Sequence, residues 1–457
     1  MKIRAGTKSH EIWEANLERS LHLPPQGDDL MMLTVASCSA LAAWQSCSVQ
    51  AVAGTQRCST WMATSSATGA MAGVVQPTAG ESSAPASSVP AERLLGTDRP
   101  TMWSEFAQLA AETGAVNLGQ GFPDWQPPEF VVAEAQRALE EGYHQYTRPA
   151  GHPRLVSVLA DRYSQHMQRS IDAMTEICVT VGASQALYLT LQALVNPGDE
   201  VVVLEPAFDL YYGQIRLAGG TTVPVTLDVD EDGHRWTLDV SRLEAAITPR
   251  TKVLILNSPH NPTGRTYGAD EMAAVADVLR RHPGVLVISD EVYKYTVYAE
   301  EPHVHFAALP GMYERTVTLS SAGKTFSITG WQAGWCVGPP ALIKPIQLLL
   351  PFVQFCATTP MQQALSHILQ LADDPFEDQP SYYAWLVDMY RKKREILAEG
   401  LERSGIVPMQ ANAPSRECRL CRRSLRTHPC VPLPAYRSQR THPCTCPPSR
   451  VNLPPHP

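Results

Sequence analysis

The sequence predicts a three-layer α/β/α fold, in which helices cover both faces of a mainly parallel β-sheet. Short runs of Val, Ile and Leu alternate with amphipathic helical patterns over residues 129–404 of the 457-residue chain. Within these runs apolar and polar residues do not alternate, which indicates strands buried on both faces, as in parallel sheets. No run of eighteen uncharged apolar residues occurs, so we predict no membrane-spanning segment.

The predicted elements follow one another in an order typical of this class of fold. Residues 129–142 and 152–166 show helical periodicity, and the first of these helices is predicted to end at Gly142. Strands are predicted at residues 176–182, 200–206, 221–225, 252–259, 284–293 and 315–321. Helices are predicted at residues 184–194, 209–218, 268–281, 338–371 and 379–404.

The composition excludes several classes of partner. The formal net charge is −8, so the chain has no basic footprint for nucleic acid or an anionic membrane surface. Of the 11 cysteines, three lie in the patterned middle of the chain: Cys178, Cys336 and Cys356. Three scattered cysteines favour a reducing compartment over a disulfide scaffold.

Residues 1–95 differ from the rest of the chain. Ser, Ala, Thr and Met dominate there, and no acidic residue lies between Met31 and Gly80. This composition is typical of an organellar transit peptide, while acidic residues before Met31 favour the alternative of translation that begins at an internal methionine. Disorder is expected in both cases.

The tail at residues 414–457 also departs from the globular pattern. It repeats Arg-Thr-His-Pro-Cys at 426–430 and 440–444 and lacks apolar periodicity. Cys418 and Cys421 lie near His428 and could bind zinc by ligand type, but the spacing matches no compact zinc finger. We therefore expect a disordered or out-of-frame extension, and we assign no metal ligands to the globular part.

Lys324 stands in the stretch SSAGKTFSITGWQAGW, residues 320–335, directly after a predicted strand. A phosphate-binding P-loop would need glycine where Thr318 stands, and Gly330 and Gly334 interrupt the helix that should follow. A surface lysine would be expected beside other charges, which are missing here. A lysine among small side chains has a lowered pKa, which suits covalent capture of an aldehyde.

Polar residues at other strand ends support a catalytic lysine. Asn257 and Asn261 lie in the turn at 256–264, and Asp290 ends the run ISD with Tyr293 close behind. Ligands of parallel sheets collect outside the carboxyl ends of the strands. Each residue alone has a structural alternative: a turn-former at Asn261, a helix cap at Asp290 or Ser184, a core residue at Phe208.

A strand, a small-residue turn and a helix start at residues 179–187 could hold a phosphate on backbone N–H groups. The cofactor that offers a phosphate, an aldehyde for lysine and a pyridine nitrogen for a carboxylate is pyridoxal 5′-phosphate (PLP). The sequence therefore predicts a PLP site.

Seven motifs carry a resemblance to a known family: VNLGQGFPDW, YHQYTRPAGHPRL, VTVGASQAL, EPAFDLYYGQI, NSPHNPTG, SDEVYKYTVY and SSAGKTFSITGW. They resemble the class I/II aminotransferases of PLP fold type I, and most of all the kynurenine aminotransferase, glutamine transaminase K or cysteine-S-conjugate β-lyase group. The resemblance runs from about Pro100 to about Asn412. It implies an aspartate aminotransferase-like large domain at 136–350 and an incomplete α+β small domain at 96–135 and 351–413.

The resemblance implies a role for each matching residue. Lys324 would bind the cofactor covalently and then transfer a proton, and Asp290 would pair with the pyridine nitrogen. Asn261 and Tyr293 would donate to the ring's 3′ oxygen, and Phe208 would stack on the ring.

Further roles concern the phosphate and the substrate. The residues implied at the phosphate are Ala183, Ser184 and Ser321, with Tyr146 reaching from the partner subunit of a homodimer. Gly121, Trp103 and Asn261 would contact the substrate.

The implied reaction moves an amino group between an amino acid and a 2-oxo acid. Kynurenine, glutamine and aromatic or sulfur amino acids are the implied donors, and β-elimination from cysteine conjugates is a related possibility. The expected compartment is the cytoplasm, or a mitochondrion or plastid if residues 1–95 are a transit peptide.

Two departures from the family pattern favour an alternative, a catalytically silent PLP-fold binding protein. Gln332 stands eight residues after Lys324, where the family usually has Lys or Arg on the phosphate. Loss of that charge-assisted contact is worth roughly 1.5–3 kcal/mol. The C-terminal part that carries the family's carboxylate-binding arginine is replaced by the tail.

Overall fold

The computed structural model describes residues 91–94, 102–115, 117, 121, 123, 125–299 and 302–413. The predictions for residues 1–90 and for the tail at 414–457 lie outside this range. The division of residues 96–413 into a large and a small domain stays a prediction.

The described part of the chain has nine strands, and seven of them form one central sheet. The nine strands are β1 (Ile177–Val181), β2 (Glu200–Glu205), β3 (Thr221–Thr226), β4 (Asp228–Val229), β5 (Trp236–Thr237), β6 (Thr251–Asn257), β7 (Leu286–Asp290), β8 (Thr316–Ser321) and β9 (Ala333–Val337). The order in the sheet is β1-β9-β8-β7-β6-β2-β3, and β4 pairs with β5 in a separate hairpin. Strands β3, β2, β6, β7 and β8 are parallel, whereas β9 is antiparallel to both of its neighbours.

The helices of four or more residues are α1 (Met102–Thr113), α2 (Glu129–Glu140), α3 (Pro153–Met167), α4 (Gly182–Leu194), α5 (Leu210–Leu217), α6 (Val240–Ala246), α7 (Ala269–Arg281), α8 (Ala322–Thr325), α9 (Pro340–Val353), α10 (Thr359–Leu371) and α11 (Tyr382–Arg403). None of the helices in the described ranges is both long and apolar enough to cross a bilayer.

Alternate residues of the strands pack on opposite faces of the sheet. On one face Val201 and Ile255 pack with Leu187 of α4 in one apolar cluster. On the other face Val202 and Leu254 belong to a second cluster that includes residues of α6 and α7. The strands are therefore covered on both sides, which confirms the predicted three-layer fold with a mainly parallel sheet.

A third apolar cluster joins α2, α3, α10 and the start of α11 to the β1 side of the sheet. Its fully buried residues include Leu155, Leu159, Ile368 and Leu386. The helix predicted to end at Gly142 does so: α2 ends at Glu140, and Gly142 has a φ of +86°. Glycine occupies this left-handed conformation at little cost, which stops the helix.

The predicted single helix at 338–371 is wrong, because the structure has two helices, α9 and α10, with a break at residues 354–358. Phe355 takes a φ of +67° in the break, and Pro360 lies in the first turn of α10. Proline has no N–H for a helix interior but fits a first turn, so it marks a new helix rather than a continuation.

Strand β9 and the β4–β5 hairpin were not predicted. β9 has the sequence AGWCV, and its glycine weakens any strand propensity. The hairpin strands have two residues each, too few for a periodicity to show.

Candidate active site

A cleft of about 210 Å³ opens at the carboxyl ends of the central parallel strands. Of the predicted cofactor residues, eight line it: Ala183, Ser184, Phe208, Asn261, Asp290, Tyr293, Ser321 and Lys324. They come from five separate strand ends or turns, which the parallel sheet brings together at one edge.

Lys324 lies on α8, a single helical turn directly after β8. The hydroxyl of Ser321 accepts a hydrogen bond from the Gly323 backbone N–H at 3.0 Å and so caps this turn. The Lys324 Nζ donates to the Gly121 carbonyl oxygen at 2.6 Å and lies 5.8 Å from the centre of the Tyr293 ring. The structure therefore places the amine in the cleft and brings the predicted substrate residue Gly121 to it.

Asp290 is the last residue of β7 and lines the floor of the cleft. Its Oδ2 accepts a hydrogen bond from the Tyr211 hydroxyl at 2.6 Å, and its Oδ1 accepts one from the Val292 N–H at 3.3 Å. Burial raises the pKa of Asp290 above its usual value, Glu291 raises it further, and the bonds from Tyr211 and Val292 oppose the rise. A cationic group in the cleft would stabilise the ionised carboxylate.

Tyr211 is a site residue that the sequence analysis missed. It lies on α5, three residues after Phe208, and its ring meets the Phe208 ring edge-on with centroids 5.7 Å apart. Phe208 lies before α5 begins at Leu210, so helical spacing in the motif EPAFDLYYGQI does not reveal this pair.

Asn257 braces the turn that presents Asn261. Its Nδ2 donates to the Asp290 carbonyl oxygen at 3.0 Å, and its Oδ1 accepts from the Asn261 N–H at 2.7 Å. Asn257 therefore joins the ends of β6 and β7 and fixes the position of Asn261 beside Asp290.

The other end of the cleft is built from the turn between β1 and α4. Gly182 begins the 13-residue helix α4 with a φ of +71°, and the first backbone N–H groups of the helix lie at Ala183 and Ser184. Such N–H groups and the helix dipole favour an anion. Ser321 lies at this end as well, and its Oγ donates to the Ala333 carbonyl oxygen at 3.0 Å.

Gln332 occupies the same end and has a φ of +51°. Its Nε2 donates to the Thr329 carbonyl oxygen at 2.7 Å, and a Cβ built on Gly182 would lie 2.7 Å from its Oε1. Among the cleft-lining residues that the structure describes, Lys324 is the one cationic side chain.

Gly334 of β9 lets the sheet approach the β1–α4 turn closely. A Cβ at Gly334 would lie 2.3 Å from the Gly182 carbonyl carbon and 2.6 Å from the Ala183 N. Both atoms are backbone, so the anion-binding turn would have to move.

We expect Gly334→Ala to destabilise the protein by about 1–3 kcal/mol, because it overpacks backbone against backbone. Thermal unfolding should show a midpoint several degrees lower than that of the natural chain. The matched control is Gly330→Ala, since a Cβ at Gly330 meets no atom within 4 Å. Equal melting temperatures for the two variants would contradict the close approach of β9.

Two predicted site residues are not placed in the cleft. The side chain of Trp103 lies outside the described part of the chain. Tyr146 is 79% exposed, and its ring packs edge-on against Phe355 at 4.7 Å. Its predicted contact from a partner subunit stays a prediction.

Comparison with known proteins gives the family of the chain. The family model described as aminotransferase class I and II matches residues 113–415, a span that includes every described cleft residue. The chain belongs to the class I and II aminotransferases. It is an aminotransferase by family, with the fold that this family shares.

Among its relatives is the kynurenine–oxoglutarate transaminase of Dictyostelium discoideum, 44% identical over 68% of this chain and 73% of the relative. Kynurenine–oxoglutarate transaminase 3 of Homo sapiens is 41% identical over 70% of this chain and 71% of the relative. These relatives support the predicted transaminase over the catalytically silent alternative.

Solved structures agree on the fold. The N-succinyldiaminopimelate aminotransferase of Mycobacterium tuberculosis matches with a TM-score of 0.67 and 37% identity, over 71% of this chain and 82% of that one. An Escherichia coli protein with a methionine aminotransferase function matches with a TM-score of 0.66 and 32% identity, over 71% of this chain and 82% of that one.

Proposed function

We propose that this aminotransferase uses PLP to move an amino group from kynurenine, glutamine or an aromatic or sulfur amino acid to a 2-oxo acid. Two relatives are named for kynurenine and oxoglutarate, and the E. coli structure is named for methionine. The observation that carries the proposal is the shared cleft, in which Lys324 Nζ and the Asp290 carboxylate lie with the start of α4.

The donors and acceptors in the cleft fit the cofactor. The start of α4 and the Ser321 side chain suit the phosphate, Asp290 suits a protonated pyridine nitrogen, and Phe208 offers an aromatic face. When bound, PLP supplies an aldehyde for an amine and a ring that accepts electrons from the substrate Cα.

Lys324 would act as nucleophile and as general base. Its Nζ is held by the Gly121 carbonyl oxygen at 2.6 Å, a contact that orients the amine in the cleft. As a free amine beside the bound substrate, Lys324 could accept the Cα proton, hold it at Nζ and release it again.

Asp290 would keep the pyridine nitrogen protonated. An ionised carboxylate at this position stabilises the cation of the ring, and the Tyr211 hydroxyl at 2.6 Å stabilises the carboxylate in turn. Asn261 and Tyr293 line the same cleft and would donate to the ring's 3′ oxygen. The residues of this chain would thus hold the ring nitrogen in the protonated state that the proposed reaction requires.

Gln332 gives a testable consequence for cofactor affinity. Because Gln332 is uncharged, the phosphate end lacks a side-chain cation among the described residues. We expect Gln332→Lys to tighten PLP binding by about 10- to 150-fold, the value of one charge-assisted hydrogen bond. The measurement is the dissociation constant of PLP from a fluorescence titration of cofactor-free protein.

The matched control is Gln332→Met, which keeps the side-chain length without a charge and loses the bond to the Thr329 carbonyl oxygen. Its affinity should equal or fall below that of the natural chain. If the lysine and methionine variants bind PLP equally, the phosphate does not lie beside residue 332.

A homodimer is part of the proposal. The aromatic side chains of Tyr146, Phe352 and Phe355 are 79%, 89% and 47% exposed, an amount of apolar surface that suits a protein interface. Tyr146 would then reach the phosphate of the partner subunit. Analytical ultracentrifugation at micromolar concentration should give a dimer mass, and Phe352→Glu should shift it toward the monomer.

Substrate assays test the proposed function directly. The full chain, incubated with PLP and 2-oxoglutarate, should form glutamate when kynurenine, glutamine, phenylalanine or methionine is supplied as the donor. Glutamate formation from none of these donors, despite bound PLP, would contradict the proposed substrates.

A further inference from the structure

A second group of titratable side chains lies directly behind the candidate active site. Glu291 follows Asp290 in the chain and is fully buried. Its Oε2 lies 2.6 Å from His305 Nδ1 and 3.3 Å from His303 Nε2. One ligand atom from each residue lies within 4.8 Å of the others. We name these three residues the Glu291 cluster.

His303 is not accounted for by hydrogen bonding. Its side chain is 7% exposed, and neither ring nitrogen makes a hydrogen bond of good geometry to a described residue. Leaving both nitrogens of a buried imidazole unsatisfied costs free energy. His303 Nε2 faces Glu291 Oε2 at 3.3 Å without an aligned hydrogen bond, and a cation between these two atoms would bind both.

The side chains around the cluster already hold two of its members in an orientation suited to a metal. Ser289 Oγ donates to Glu291 Oε1 at 3.1 Å, which leaves Oε2 to face the two histidines. His305 Nε2 lies 3.0 Å from His166 Nδ1, so its Nδ1 is directed at Glu291. Metal-binding histidines and carboxylates in proteins are commonly fixed by such outer hydrogen bonds.

His166 is suited to accept from His305. Its Nδ1 lies 3.0 Å from His305 Nε2, and the Tyr295 hydroxyl lies 3.4 Å from its other ring nitrogen. On the cluster side, His305 Nδ1 and Glu291 Oε2 lie 2.6 Å apart and share a proton. A metal ion would displace this proton and bind both atoms.

We infer that Glu291, His303 and His305 form a binding site for a divalent transition metal, with zinc as the expected ion. Two imidazole nitrogens and one carboxylate oxygen are a ligand set that zinc uses, with water in the fourth position. Zinc bonds of about 2.0–2.1 Å put neighbouring tetrahedral ligands about 3.3 Å apart. The Glu291–His303 distance of 3.3 Å fits, and the Glu291–His305 distance must open by about 0.7 Å.

The charges around the cluster permit a dication. Glu291 supplies the carboxyl group of the cluster, and zinc binds histidine through neutral rings. The nearby Lys294 is directed elsewhere, because its Nζ donates to the Tyr163 hydroxyl at 2.7 Å.

The histidine side of the cluster lies nearest to solvent. His303 and His305 keep 7% and 11% of their side-chain surface exposed, whereas Glu291 has none. Zinc would therefore enter from the histidine side.

The test is the zinc content of the full chain after metal stripping, incubation with zinc alone and removal of free ion. We expect His303→Asn and His305→Asn each to hold one zinc fewer per chain than the natural protein. Zinc should also raise the melting temperature of the natural protein by several degrees and leave both variants unchanged. His282→Asn is the matched control, because His282 pairs with Glu244 on the surface at 3.8 Å, and it should behave as the natural protein does.

Zinc bound by the tail cysteines must be distinguished from zinc bound by the Glu291 cluster. The comparison is therefore repeated in a full chain that carries Cys418→Ser and Cys421→Ser. The difference of one zinc should persist there, and cobalt in the same site should show a four-coordinate spectrum without a thiolate charge-transfer band. Metal-free melting curves check that each variant is folded. If His303→Asn does not fold, the zinc content of His305→Asn alone is compared with that of the natural protein. Equal zinc content in the natural protein and a folded histidine variant would overturn the inference.

Discussion

Replacing Lys324 with alanine should lower kcat by about 10⁴-fold or more, because in the proposed mechanism one amine would supply both the covalent attachment and the proton transfer. The variant should still fold, since α8 is a single turn capped by the Ser321 hydroxyl and not by the lysine. The measurement is the rate of glutamate formation at saturating donor and 2-oxoglutarate.

Lys344→Ala is the control for loss of a lysine, because residue 344 is exposed on α9 and lines no part of the cleft. It should keep the activity of the natural protein. A Lys324→Ala variant with more than a tenth of the natural kcat would rule out the proposed role of this amine.

Replacing Asp290 with asparagine should lower kcat by about 10²–10³-fold. Asparagine fits the same space but cannot balance the positive charge of a protonated pyridine nitrogen, so the electron-accepting form of the ring is lost. Single-turnover rates, measured on protein saturated with cofactor and donor, report the chemical step and do not depend on the affinity for the cofactor.

Tyr211→Phe should have a smaller effect than Asp290→Asn, because it leaves the carboxylate in place. It removes the hydrogen bond to Asp290 Oδ2 and should cost about tenfold in kcat. That bond lowers the pKa of Asp290 against the effect of burial. Its loss should therefore raise the pKa, and activity should fall at a higher pH on the acid side than in the natural protein. A Tyr211→Phe profile that coincides with the natural one would contradict the link between the two residues.

Much of the fold was predictable because buried parallel strands have a simple signature. The apolar runs at 200–206 and 252–259 lie on β2 and β6 and are covered on both faces by helices. The antiparallel strand β9 was missed, since its pairing with β1 and β8 depends on contacts distant in sequence. Local propensity cannot report such contacts.

The candidate site was predictable wherever a residue follows a strand directly. Lys324, Asp290 and Asn261 all lie at such ends and meet in the cleft. Tyr211 acts through another residue, by its hydrogen bond to Asp290. Asn257 was recognised as a polar residue at a strand end, but its hydrogen bonds to Asp290 and Asn261 were not. The sequence offers no pattern for such supporting bonds, because each depends on how two elements pack.

The Glu291 cluster was even harder to predict from the sequence, because it too depends on how separate elements pack. Glu291 and His305 are separated by 14 positions, and His166 lies 139 positions from His305. The ligands come from two segments and the orienting His166 from a third, so the set lacks the regular spacing by which a zinc finger is recognised.

The most direct test of the account is to locate the cofactor chemically. The full chain, incubated with PLP and reduced with borohydride, should carry one phosphopyridoxyl group per chain, and peptide mass spectrometry should place it on Lys324. The Lys324→Ala variant should remain unlabelled under the same treatment. Labelling on a different lysine, or a folded natural chain that takes up no label, would contradict the account.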